Sequence, residues 1–178
     1  MHLADITKYI RLSVLFSGAF LLCFNAFSAD FTQKTGSHEP DNKWHTLYET
    51  SEFRQTHDYG QTIAFSKRLA EAFQVIEYRS LGKSHQGREI PLLILNSKGH
   101  FTPEQVRAAG QVVLLVQACI HPGEPAGKDA GLMLLRDMAL QSLSGGIPSE
   151  IVVLFIPILN VDGYARFGPF NRINQNGP

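Results

Sequence analysis

Cysteine is scarce in this chain of 178 residues: only Cys23 and Cys119 occur. A disulfide-stapled secreted module, which needs several bridges to replace a core, is excluded. Charge of one sign is also lacking, because 16 basic side chains face 16 acidic ones. A nucleic-acid binder would carry a basic excess or stripe, so that class is excluded as well. Long apolar runs are missing too. The run Leu12–Phe24 is free of charge but only 13 residues long, short of the roughly 20 that cross a bilayer as a helix.

That run follows Lys8 and Arg11 and is followed by the small residues Ala26 and Ser28. A basic start, an apolar stretch of about 7–15 residues and a small-residue cleavage site make a secretory signal peptide. The expected signal is residues 1–28, which implies a secreted or periplasmic protein with no stable membrane span after cleavage. Removal would leave 14 basic and 15 acidic residues and Cys119 as the single thiol. Residues 29–42 are polar, with Gly36, Ser37 and Pro40, and read as a leader to a folded part beginning at residue 43.

The remainder alternates between helical and strand periodicity. Ile63, Phe65, Leu69, Ala70 and Phe73 recur at spacings of three and four, which predicts an amphipathic helix between Tyr59 and Phe73. Val75–Leu81 and Ile90–Leu95 are short apolar or alternating runs around a segment with two glycines, a pair of antiparallel strands. Thr102-Pro103-Glu104-Gln105, closed by Gly110, has the cap, proline and glutamine of a short helix. Val112–Ala118 is almost continuously apolar and is expected to be a strand buried on both faces. Pro125–Gln141 has a helical pattern nearly apolar enough to be buried throughout, Ser144–Pro148 reads as a turn, and Ile151–Ile158 is a second β-branched run. Strand, helix and strand in this order make a right-handed βαβ unit with parallel strands. The fold class is therefore α/β, with a mixed, mainly parallel sheet flanked by helices.

In such sheets chemistry sits beyond the carboxyl ends of the strands. The two segments there are Cys119–Ala126 and Leu159–Pro178. The first reads His121-Pro122-Gly123-Glu124, an imidazole and a carboxylate three residues apart on a tight turn. Both are zinc donors. The same four residues also make an ordinary turn before a helix, where Glu124 suits the N-terminus. Competing motifs fail: no Gly-x-Ser-x-Gly elbow and no His-Glu-x-x-His occur, and the glycine needed five positions before Gly82 in a phosphate-binding loop is Glu77. Cys119, inside an apolar run, reads as packing. His85 and His100 read as surface loop residues.

Three blocks in order carry a family resemblance: Gln117–Gly131 around His121-Pro122-Gly123-Glu124, Pro157–Tyr164 containing Asn160-Val161-Asp162-Gly163, and Asn171–Pro178. Ser80–Ser84 with Gly87-Arg88 adds an early hairpin. From about Tyr48 onward the chain resembles the zinc metallocarboxypeptidases. The resemblance implies a Zn²⁺ cofactor held by His121 and Glu124, a peptide or cell-wall peptide substrate, and hydrolysis of C-terminal peptide bonds. Residues 43–178 then correspond to the N-terminal part of the catalytic domain, and the third zinc ligand and general-base glutamate are expected beyond residue 178. An arginine holding the substrate carboxylate bidentately is also implied. Arg172 is the candidate, with a structural loop role as the alternative, because the digestive enzymes place that arginine three residues after the Asn-Arg pair, at Gln175 here. Asn160-Val161-Asp162-Gly163 is expected to set turn geometry, with Gly163 at positive φ. Two other readings stay open: a zinc-dependent amide deacylase of the succinylglutamate desuccinylase and aspartoacylase type, and a catalytically dead peptide-binding domain.

Overall fold

Apolar residues that alternate along two central strands divide this protein into two layers on either side of one sheet. The computed structural model describes residues 42–142 and 146–166, all within one compact unit, Pro40–Pro178. The expected signal 1–28, nearly all of the leader, Arg172 and the Asn171–Pro178 block lie outside the described residues.

Helix α1 (Leu47–Thr50) and helix α2 (Tyr59–Ala72) each begin with a capping box, at Thr46 with Glu49 and at Asp58 with Gln61. Each cap satisfies backbone donors that a helix N-terminus leaves unpaired. Strands β1 (Ile76–Lys83) and β2 (Glu89–Leu95) form the expected antiparallel pair. Helix α3 (Pro103–Ala108) starts at the predicted Thr102–Gln105 box with Pro103 in its first turn. Strand β3 (Val112–Gln117), helix α4 (Ala126–Ser142), strand β4 (Ile151–Ile156) and helix α5 (Val161–Ala165) complete the chain order. The sheet runs β1-β2-β4-β3. β4 is antiparallel to β2 and parallel to β3, in register from Val112 opposite Ile151 to Gln117 opposite Ile156. The sheet is mixed, as expected, and β3, α4 and β4 make the parallel pair with its helical crossover, but among the described residues two of the three pairings are antiparallel, so that part is not mainly parallel.

Period-two alternation distributes the core. Leu93 and Leu95 of β2 and Val153 and Phe155 of β4 face α2 and α4, packing with Phe65, Leu69, Leu132, Leu135 and Ala139. Leu92, Ile94, Val152 and Ile156 point to the other face and pack with Val106 of α3. Burying each such side chain contributes about 1.5–3 kcal/mol.

Two expectations need correction. β3 is exposed along its whole length rather than buried on both faces, with Val112 to Val116 between 37 and 65% accessible. Among the described residues it pairs on one side only, so it is an edge strand. α4 is not apolar throughout its buried face either. Lys128, Asp129 and Arg136 are buried there, whereas Leu134 is exposed. Arg136 bonds the Trp44 carbonyl, Asp137 and Glu49, which ties α1 to α4. Burial opposes the charge of Glu49, but the bonds from Arg136 and Thr46 outweigh it and hold its carboxyl below the ordinary carboxylate range.

Candidate metal centre

Beyond the carboxyl ends of β3 and β4 the two segments stay joined. Ala118 donates to the Ile156 carbonyl at 2.9 Å, Leu159 to the Ala118 carbonyl at 3.0 Å, and Asn160 to the Cys119 carbonyl at 3.1 Å. At Cys119 the backbone swings into the left-handed region, with φ of 49°. For an L-residue that conformation costs about 1–2 kcal/mol. Cys119 is held there by burial with Ile158, Val161 and Tyr164. Burial pushes its thiol up to about 11, so it stays protonated and is no nucleophile at neutral pH.

The turn that follows brings the predicted pair together. The Glu124 amide donates to the His121 carbonyl at 3.1 Å, and His121 Nδ1 lies 3.1 Å from Glu124 Oε2. Both side chains open to solvent, 49 and 56% accessible. α4 begins at once, with the Lys128 and Asp129 amides bonding the Pro125 carbonyl. An imidazole nitrogen and a carboxylate oxygen converging on one solvent-facing point are the donor types of a zinc corner. Among the described residues no group of three or more His, Cys, Asp or Glu side chains gathers around one point. His85 is exposed in the hairpin loop, and His100 is engaged with Gln111 at 3.0 Å, so neither joins the pair.

The structure brings further residues to this turn. Asp162 accepts from Ser84 Oγ at 2.7 Å, from the Gln86 amide at 3.1 Å and from Arg88 Nη1 at 2.9 Å. Desolvation works against its charge, but these bonds prevail and hold the carboxyl below the ordinary range. Gly163 is not at positive φ, contrary to expectation. It lies inside α5 and is required for close approach: a Cβ there would stand 2.4 Å from Pro122 Cγ and 2.9 Å from Asn160 Oδ1. Behind the turn, Lys128 Nζ bonds Thr56 Oγ1 and Asp129 Oδ1, both at 2.7 Å, and the His57 carbonyl at 3.2 Å. Tyr164 OH donates to the same carbonyl at 2.6 Å. Neither network was legible as such in the sequence. Asp162 and the hairpin stand more than 70 positions apart, although each lies in a block already carrying the resemblance.

The model of the zinc carboxypeptidases, the peptidase M14 family, matches residues 62–177. The chain belongs to the zinc carboxypeptidase family. Carboxypeptidase 2 of Trichophyton rubrum is 29% identical over 112 residues, covering 62% of this chain and 20% of that protein. Carboxypeptidase A of Helicoverpa armigera superposes with a TM-score of 0.51 at 25% identity, covering 61% of this chain and 25% of its own. Thrombin-activatable fibrinolysis inhibitor does so at 0.55 and 16% identity, over 75% of this chain and 32% of its own, a likeness of fold. This zinc carboxypeptidase family member therefore spans between a fifth and a third of these relatives.

Proposed function

We propose that this chain supplies the first two zinc ligands, His121 and Glu124, of a secreted or periplasmic metallocarboxypeptidase that hydrolyses C-terminal peptide bonds. One observation carries the reading: the imidazole and carboxylate converge at 3.1 Å beyond the carboxyl end of β3, in a chain of this family. Bound zinc would supply Lewis acidity toward the scissile carbonyl and lower the pKa of water from about 15.7 toward about 7. The chain's own residues have separate tasks. His121 and Glu124 offer one nitrogen and one oxygen, and the reverse turn between them keeps both on one side of the strand end. Arg172 is the proposed partner of the substrate's terminal carboxylate, because a guanidinium fork matches it bidentately. A third ligand and a general base complete the centre from outside the described residues. The residues 1–28 act as a cleaved signal in this reading.

Zinc titration of the natural full-length protein against His121→Ala and Glu124→Ala tests the assignment. Each variant is expected to bind at least about tenfold more weakly; equal affinity removes that residue from the site. The 178-residue chain alone is expected to bind zinc weakly and to release no C-terminal amino acids, since a two-donor corner neither closes the coordination sphere nor provides a base. Zinc-dependent release by this chain would overturn that part.

A further inference from the structure

The β1–β2 hairpin loop lies far from the zinc corner in sequence yet is joined to it by a continuous set of contacts. Ser84, Gln86 and Arg88 place three donors on the two oxygens of Asp162. A carboxylate gripped from both oxygens, one of its partners a guanidinium, has its rotamer and its backbone position set. The next residue, Gly163, lies so close to Pro122 that no Cβ fits between them. Pro122 stands between the two candidate ligands, and its ring is rigid, so a displacement of α5 is transmitted to the turn rather than absorbed. On the other side, the Asn160 and Leu159 amides bond the Cys119 and Ala118 carbonyls, and Asn160 Oδ1 accepts from the Gly163 amide at 2.9 Å. The hairpin, α5 and the His121–Glu124 turn thus form one linked unit.

We propose that Asp162 and Gly163 are positioning residues for the metal centre: the hairpin loop holds Asp162, and Gly163 seats Pro122 so that His121 and Glu124 converge. This rests on the zinc reading above. It assigns to the early hairpin a purpose beyond covering the sheet, and to the Asn160–Gly163 block one beyond turning the chain. Arg88 and Ser84 act through Asp162.

Two variants and two readouts test it. Asp162→Asn keeps the shape but removes the charge that Arg88 meets, and Gly163→Ala keeps the hairpin contacts but drives a methyl into Pro122. Amide hydrogen exchange at Glu124, whose N–H bonds the His121 carbonyl, is followed by NMR without metal, with Phe155 in β4 as a core reference. Zn²⁺ alone is then titrated into the natural full-length protein and each variant. The expected result is faster exchange at Glu124 with Phe155 unchanged, and zinc binding weaker by about tenfold. Unchanged exchange and unchanged zinc affinity in folded variants overturn the proposal, as does equal acceleration at Glu124 and Phe155, which marks general loosening. Should Asp162→Asn not fold, Ser84→Ala removes one of the three bonds and is read the same way. If zinc binding in the unmodified protein does not depend on His121, the zinc reading fails; the exchange at Glu124 still reports whether Asp162 and Gly163 set the turn.

Discussion

Lys128 is wholly buried beside Asp129, and its ammonium has three partners within 3.2 Å. Burial pulls its pKa below the ordinary lysine value while the bond to Asp129 opposes that pull. Removing one member of such a pair strands the other charge, which costs about 3–5 kcal/mol. Urea unfolding is expected to show a loss of that size for Lys128→Met, and a smaller loss when Asp129→Leu accompanies it; additive losses would show that the two side chains are uncoupled. His57 gives a second prediction. Its Nε2 accepts from the Leu47 amide at 3.2 Å, which requires the unprotonated nitrogen. Burial first, and then Lys128, lowers its pKa. The folded state therefore binds fewer protons than the unfolded one just below the ordinary imidazole value, so stability falls as pH drops through that range. A pH series of denaturant midpoints is expected to show this loss, reduced in His57→Gln; parallel curves for the two proteins would remove His57 as its source. In the sequence, nothing singles out Lys128-Asp129, since adjacent charges on a helix carry no mark of burial or of partners distant along the chain. Gly163 after Asp162 likewise resembles a turn glycine, because a missing Cβ serves a positive φ and a close approach equally well.

At the scale of elements, caps and periodicity transferred directly from sequence to structure. α2 spans the predicted stretch with Phe73 as its C-cap, and α3 lies where its capping box required. These signals are local, so no distant partner alters them. β3 shows the opposite case. A continuous apolar run reads the same whether one or both of its faces are covered, and coverage is decided by chain elsewhere. The approach of α4 to the sheet was equally hidden. It depends on Gly131, where a Cβ would fall 2.2 Å from Phe155 Cζ. Gly131→Ala would improve helix propensity by about 1 kcal/mol, but driving a methyl into a ring at the centre of the core costs about 1–3 kcal/mol or more. Chemical denaturation is expected to show net destabilisation, relieved when Phe155→Leu is added; a more stable Gly131→Ala would mean that the helix shifts freely.

Considered whole, the described part of the molecule has one well-covered face and one bare margin. Val112, Val113, Leu114 and Leu115 are each at least half accessible, and an apolar cleft of about 160 Å³ between β3 and α4 is lined by Leu114, Val116, Leu134, Met138 and Ile151. An uncharged, exposed edge strand is a template for intermolecular pairing. The 178-residue chain is therefore expected to self-associate at micromolar concentration, and Val113→Lys to suppress this while changing stability by less than about 0.5 kcal/mol. Light scattering of the two proteins decides it, and equal association would place the contact elsewhere. The described residues contain no helix long and apolar enough to cross a membrane.

The buried thiol at the head of the candidate centre lends itself to chemical reporting. Cys119 is the one free cysteine among the described residues, and it is both shielded and protonated at neutral pH. Thiol reagents reach it when its packing against Ile158, Val161 and Tyr164 opens. Its alkylation rate therefore clocks transient opening next to His121, giving a built-in stopwatch for local motion that needs no introduced label.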